Sequence, residues 1–178
     1  MEFYTLKIAN VERQYPLVSL SPKIRIASFN ILGDKELAQK AAFELCKKLN
    51  GLKFDYLVGP EVTVLPLIHE MAEILGMKRY VILRKQIHGY MIKPIYLNNK
   101  HKLVINGADA ELIKNKRVVI IDDVVSTGKT IKAILELVEK LNTKVVAKIA
   151  ILKQGDIFGD EIKDLIYLEK IPLFKTGS

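Results

Sequence analysis

Asp122 and Asp123 stand side by side, and five of the next seven residues, Ser126-Thr127-Gly128-Lys129-Thr130, are rich in hydroxyl, glycine and amine groups. Carboxylates accept hydrogen bonds from sugar hydroxyls or hold a divalent cation. A short loop of small and hydroxyl residues opening a helix turns main-chain N–H groups and the positive end of the helix dipole toward phosphate. Together these types and spacings suit a phosphorylated, hydroxyl-rich ligand. The elements around them fit that chemistry. Val118 to Ile121 are four consecutive β-branched residues, the mark of a short strand buried on both faces. The acids follow where that strand is expected to emerge into solvent. Ile131, Ile134, Leu135, Val138 and Leu141 then form the apolar stripe of a helix packed on a sheet.

Two other strand ends carry suggestive residues. Phe54 to Val58 reads as a short apolar strand running into Gly59-Pro60-Glu61. Arg79 to Leu83 reads as another, ending in Arg84-Lys85. Between these lies a helix, roughly Thr63 to Leu75, ended by Gly76. An earlier helix opens at Gly33-Asp34, with Asp34 as N-cap, repeats Leu37, Ala41, Leu45 and Leu49, and closes at Asn50-Gly51. Lys23 to Phe29 alternates as a half-exposed strand, whereas residues 1 to 23 show no strong periodicity. Gln86 to Lys100 is a long unpatterned segment, which in a compact domain reads as a functional lid or as disordered. His101 to Ile105 reads as extended, Asn106-Gly107 as a turn, Lys144 to Leu152 as a strand broken by Gln154-Gly155-Asp156, and Asp164 to Leu168 as a last short strand before Pro172. Strands alternating with helices predict an α/β fold, a doubly wound, mostly parallel sheet whose ligand sits beyond the strands' carboxyl ends.

Composition bounds the rest. The chain has 178 residues, 49% apolar and 27% charged, which suits one globular domain. Net charge is +8 and the pI is near 9.4, but no run of five lysines or arginines occurs and tryptophan is absent. Scattered basic residues read as solvated faces, so no nucleic-acid partner is expected. Cys46, the single cysteine, is read as a small helix residue with no disulfide partner. No signal-like leader and no apolar stretch of membrane-spanning length is present, so no membrane partner and a cytoplasmic location are expected.

Two rival motifs fail on spacing. A nucleotide-binding P-loop needs glycine five residues before Gly128, and Asp123 occupies that place. His69-Glu70-Met71-Ala72-Glu73 lacks the second histidine of a zinc protease helix. A purely structural α/β domain would not need an acidic pair joined to a phosphate loop and a separate Arg-Lys strand end.

The 13 residues from Val118 to Thr130, V-V-I-I-D-D-V-V-S-T-G-K-T, resemble the signature of the type I phosphoribosyltransferases, which bind 5-phosphoribosyl-1-diphosphate. The order Gly59-Pro60-Glu61, Arg84-Lys85, long loop and signature is most similar to the adenine branch. The resemblance implies a single domain over 1–178, with a core at about 31–152 and a small hood from the N-terminal and C-terminal segments, about 1–30 and 153–178. It implies transfer of the phosphoribosyl group to a purine base, adenine favoured, giving a nucleoside monophosphate and pyrophosphate. Asp122 and Asp123 would hold the ribose hydroxyls, directly or through Mg2+ on the diphosphate. Val124, Val125, Ser126, Thr127, Gly128, Lys129 and Thr130 would hold the 5-phosphate. Gly59, Pro60 and Glu61 would offer main-chain donors to the pyrophosphate, at a turn that in this family often carries a cis peptide bond. Arg84 and Lys85 would clamp the pyrophosphate, and the loop with His88, Tyr90 and Lys93 would close over the site. That loop can reach a neighbouring subunit in the family, so a homodimer or higher homo-oligomer is expected.

Three departures from the pattern stand out. Val62-Thr63-Val64-Leu65-Pro66 lacks the glycine that many adenine-type members place after the glutamate. Asn98-Asn99 stand near where some carry a loop glutamate. Ser126 replaces the aspartate usual in hypoxanthine–guanine enzymes, and serine accepts no purine proton at neutral pH. Hypoxanthine, guanine or xanthine specificity, or a non-catalytic sensor of phosphoribosyl diphosphate, stay open beside adenine. The N-terminal 30 residues and Leu152 to Phe158 are the candidate base-facing segments.

Overall fold

Two residue patterns build two sheets: alternating segments form a small antiparallel one, and β-branched runs buried on both faces form a larger parallel one. The computed structural model describes residues 1–97, 103–156 and 159–175. The chain opens with a hairpin, β1 (Phe3–Ile8) and β2 (Val11–Ser21), in a region where the sequence showed no strong period. Leu6, Ile8, Val11 and Tyr15 point inward from it. Its two-residue connection puts Ala9 and Asn10 at φ 48° and 65°, the left-handed pair of a tight hairpin turn. β3 (Ile24–Ala27) pairs with β2, inside the expected Lys23–Phe29 strand.

α1 (Lys35–Lys48) begins as its cap residue requires, with the Leu37 N–H donating to Asp34 Oδ1 at 3.1 Å. Arg13 on β2 donates to the same carboxylate at 2.9 Å and so ties the hairpin to the helix. β4 (Tyr56–Pro60), α2 (Leu65–Ile74) and β5 (Val81–Leu83) follow close to their expected places. The described part of the long segment after β5 includes regular structure. Within it β6 (Ile95–Tyr96) pairs antiparallel with β7 (Val104–Ile105), which makes a short ribbon. Asn98, Asn99, Lys100, His101 and Lys102 lie outside the described residues. Asn106-Gly107 is not a simple turn. It opens α3 (Gly107–Ile113), and a Cβ on Gly107 would lie 2.4 Å from the Ile92 carbonyl oxygen.

β8 (Arg117–Val125), α4 (Lys129–Glu139) and β9 (Lys144–Gln154) form the central unit, followed by a single 3₁₀ turn at Asp160–Ile162, β10 (Ile166–Ile171) and β11 (Phe174–Lys175). The larger sheet has the order β10-β9-β8-β4-β5, with every neighbouring pair parallel. Helices cover both faces: Val119 and Ile121 pack on the side of α1 and α2, Val118 and Ile120 on the side of α3 and α4. The doubly wound α/β class is therefore the observed one. The hood is also present, because β1-β2-β3-β11 joins both ends of the chain in one small sheet. The C-terminal segment divides, however, since β10 extends the central sheet and only β11 joins the small one.

Candidate active site

β4 leads through α2 to β5 on one side, and β8 leads through α4 to β9 on the other. The strand order thus reverses between β4 and β8, and a crevice opens at their carboxyl ends. A cavity of about 490 Å³ lies there. Pro60, Glu61 and Thr63 line it from the β4 side, Lys85 from β5, Asp122, Asp123 and Val124 from β8, and Thr130 from α4. A smaller cavity of about 130 Å³ shares Asp122, Val124 and Thr130 with it and runs over residues 124–131. Gly59 contributes closeness rather than a wall, because a Cβ there would sit 3.0 Å from both the Ile121 carbonyl oxygen and Val64.

The acids do not emerge into solvent as the sequence suggested. β8 stays paired with β9 as far as Val125↔Lys153, and Asp122 and Asp123 are only 7% and 8% exposed. Burial pushes the Asp122 carboxyl well above the usual range, and the neighbouring Asp123 charge adds to it. The Asp123 N–H, donating to Asp122 Oδ1 at 3.0 Å, and the nearby Lys85 ammonium oppose that rise. Asp122 therefore holds its proton more firmly than an ordinary aspartate.

Beyond β8 the chain turns at Gly128, whose φ of 77° suits a residue without a side chain. Gly128 is the N-cap of α4, and no side-chain oxygen caps that helix. The first amides of α4 are left for an anion. A Cβ on Gly128 would lie 2.9 Å from Ile162 in the 3₁₀ turn, so the loop is backed by that turn. Ser126 is partly exposed, while Thr127, Lys129 and Thr130 are exposed.

At the β4–β5 side the peptide between Glu61 and Val62 is cis, one residue beyond the Gly59–Glu61 stretch. Glu61 does not offer its carboxylate to the cavity alone: it accepts from the Lys85 N–H at 2.7 Å and pairs with Arg84 Nε. Arg84 Nη2 lies 3.1 Å from His88 Nε2, and the His88 ring stacks on Tyr90 at 5.5 Å. Of the sequence candidates, Pro60, Glu61, Lys85, Asp122, Asp123 and Val124 to Thr130 are gathered around the two cavities. Arg84, His88, Tyr90 and Lys93 do not line them. Thr63 was missed, although a hydroxyl residue in the same strand-end turn was the signal. Lys153 and Gln154, inside the Leu152–Phe158 segment expected to face the base, are buried at the carboxyl end of β9 and line neither cavity. Ile157 and Phe158, in the candidate base-facing segment, lie outside the described residues.

The rejected motifs stay inert. Cys46 is buried and its thiol is pushed up to about 11. His69 Nδ1 lies 3.4 Å from the Tyr80 hydroxyl. Among the described residues no helix is long and apolar enough to cross a membrane.

Two buried acids, an uncapped helix N-terminus and a lysine thus surround one switch-point crevice, a donor set with the chemistry for a phosphorylated, hydroxyl-rich ligand. Comparison with known proteins gives the same class. Residues 30–166 match the family described as Phosphoribosyl transferase domain, and the chain belongs to it. It is thus an enzyme of the phosphoribosyl-transferring, glycosyltransferase type. It is 31% identical to an adenine phosphoribosyltransferase of Thermosipho africanus over 74% of this chain and 81% of that one. It is also 31% identical to a hypoxanthine/guanine phosphoribosyltransferase of Methanobacterium lacus, over 70% and 65%. An orotate phosphoribosyltransferase is among the relatives too, at 25% identity. The crystal structure of the Thermoanaerobacter pseudethanolicus adenine phosphoribosyltransferase superposes with a TM-score of 0.71 at 28% identity, covering 88% of this chain and 95% of that one.

Proposed function

We propose that the protein transfers the phosphoribosyl group of 5-phosphoribosyl-1-diphosphate to a purine base, with adenine as the favoured acceptor. The observation that carries this reading is the placing of Asp122 and Asp123 between the α4 N-terminus and Lys85 across one cavity. The 5-phosphate meets the amides of residues 126–130, where the helix end contributes about 0.3–1 kcal/mol. The two carboxylates accept from the ribose hydroxyls and hold C1 at the middle of the crevice. Lys85 faces the departing diphosphate and stabilises its growing charge. A ring nitrogen of the base forms the new bond to C1 as the bond to the diphosphate oxygen breaks. The electron pair leaves with pyrophosphate, and the ring N–H proton of the base passes to solvent water. No side-chain nucleophile is needed.

Magnesium fits this donor set. Among the described residues no group of three or more His, Cys, Asp or Glu could hold a metal without help. Magnesium commonly uses one or two carboxylates together with substrate phosphates, and Asp122 and Asp123 supply that pair. When bound with the diphosphate it offsets the charge of the leaving group.

Adenine is supported by Ser126 and by the adenine-type relatives and structure. A 6-oxopurine acceptor is the second reading, favoured by the equal identity of the Methanobacterium relative. A homodimer is the proposed assembly, supported by the exposed apolar residues Ile87, Tyr90, Ile92 and Tyr96 along the loop. Measuring pyrophosphate release with adenine, hypoxanthine, guanine, xanthine, uracil and orotate in turn tests the reading. Adenine is expected to give the highest kcat/KM, and release with none of the six would replace catalysis by sensing.

A further inference from the structure

A carboxylate beside a diphosphate site repels the ligand unless its charge is committed elsewhere. Glu61 is such a carboxylate, and both of its oxygens are committed. Oε1 accepts from the Lys85 N–H at 2.7 Å, and Oε2 pairs with Arg84 Nε. The side chains of Glu61 and Arg84 are 18% and 33% exposed, so water screens the pair less than it would a surface one. The Glu61 N–H donates to the Leu83 carbonyl at 2.8 Å, continuing the β4–β5 pairing beyond the strands. Arg84 is fixed through its main chain as well, exchanging two 2.8 Å hydrogen bonds with Val104. Its Nη2 then reaches His88. One carboxylate thereby joins the tip of β4, the tip of β5 and the root of the following loop.

We propose that Glu61 is a positioning residue, not a ligand of the diphosphate: it sets the Lys85 main chain, and so the Lys85 side chain, at the mouth of the cavity. It also holds Arg84 and His88 as the anchored root of the loop. The inference rests on the phosphoribosyl diphosphate reading above. It explains why Lys85 lines the cavity while Arg84, its neighbour, does not.

Two variants test it, Glu61→Ala and Glu61→Gln. Glutamine keeps an oxygen for the Lys85 N–H but loses the charge that holds Arg84. The readouts are amide hydrogen exchange, calorimetry with phosphoribosyl diphosphate and magnesium, and steady-state rates. Glu61→Ala is expected to speed exchange at Lys85 and the amides after it through Tyr90, and Glu61→Gln to keep Lys85 protected. Glu61→Ala is expected to raise KM for phosphoribosyl diphosphate about tenfold or more, with kcat changed less than about threefold, and Glu61→Gln to recover part of that loss. Unaltered exchange, or a lowered melting temperature with unaltered KM, would overturn the inference. Tighter binding by either variant would also overturn it, because Glu61 would then only repel the ligand. If the wild type binds no phosphoribosyl diphosphate, the functional reading fails, and the exchange pattern still decides whether Glu61 holds the corner.

Discussion

Asp122→Asn should make the ligand-free protein more stable while it removes activity. The wild-type carboxyl is buried beside Asp123, and its proton affinity is raised by desolvation first and by the neighbouring charge second. A folded state that binds a proton more tightly than the unfolded chain is favoured at low pH. The contribution of Asp122 is therefore fully present below about pH 3.9, where the unfolded carboxyl is protonated too. It is lost as pH rises through the elevated folded-state value. Asparagine is neutral throughout and keeps an oxygen for the Asp123 N–H, which donates to Asp122 at 3.0 Å. Relief of a functional-site burden of this kind is worth about 0.5–2 kcal/mol. At about 2–4 °C per kcal/mol for a chain of this length, the melting temperature at pH 7.5 rises by about 1–8 °C. Melts followed by circular dichroism from pH 4 to pH 8 should show the gap between variant and wild type widening as pH rises above the unfolded value, then levelling once the folded carboxyl ionises. kcat/KM should fall about a hundredfold. An asparagine variant that is less stable at every pH, or a gap that does not widen with pH, would refute the electrostatic account.

Other outcomes follow from backbone geometry. Gly128→Ala forces a side chain into the left-handed region at a cost of about 1–2 kcal/mol and meets Ile162 at 2.9 Å. It should lower the melting temperature and weaken binding of phosphoribosyl diphosphate, as measured by calorimetry, with Gly128→Ala/Ile162→Ala recovering only the part due to contact. Gly107→Ala would bring a Cβ 2.4 Å from the Ile92 carbonyl oxygen and 2.8 Å from that of Lys93. It should loosen the loop root, seen as faster hydrogen exchange at Ile92, whose N–H donates to Asn106 Oδ1 at 3.0 Å.

The central unit was legible because each of its signals is local. Val118 to Ile121 could only be a strand buried on both faces, and the helix stripe after Gly128 needed no partner to be read. Within that stripe Ile131, Ile134 and Val138 are buried as expected, although Leu135 is only partly so and Leu137 is fully buried. The first hairpin was missed for a physical reason. Its turn is Ala9-Asn10 rather than the usual Asn-Gly, and Pro16, a residue that ordinarily argues against a strand, falls inside β2, so the alternation of Leu6 and Ile8 with Val11 and Tyr15 went unused. α3 was missed because it spans only 7 residues and opens on a dipeptide that ordinarily marks a turn. The commitments of Glu61 were not legible at all, since its partner amide lies 24 residues along the chain. The burial of the acids was likewise invisible, because it depends on β9 continuing alongside β8 past them.

The two ends of the proposed ligand meet opposite solutions to one electrostatic problem. At the 5-phosphate end, main-chain amides and a helix dipole attract the anion without a formal charge, so that loop needs conformation above all, and Gly128 supplies it. At the diphosphate end a cation is needed, and Lys85 has to be held in place beside three acids, Glu61, Asp122 and Asp123. An acid excess around an anion site would defeat binding if every carboxylate faced the ligand with full charge. Glu61 avoids this by spending its charge on Arg84 and on the Lys85 main chain. At Asp122 burial raises the proton affinity, and the Asp123 charge adds to that rise. The two acids are therefore not equivalent. The same burial that sets the acidic pair in the crevice is thus what raises the proton affinity of Asp122.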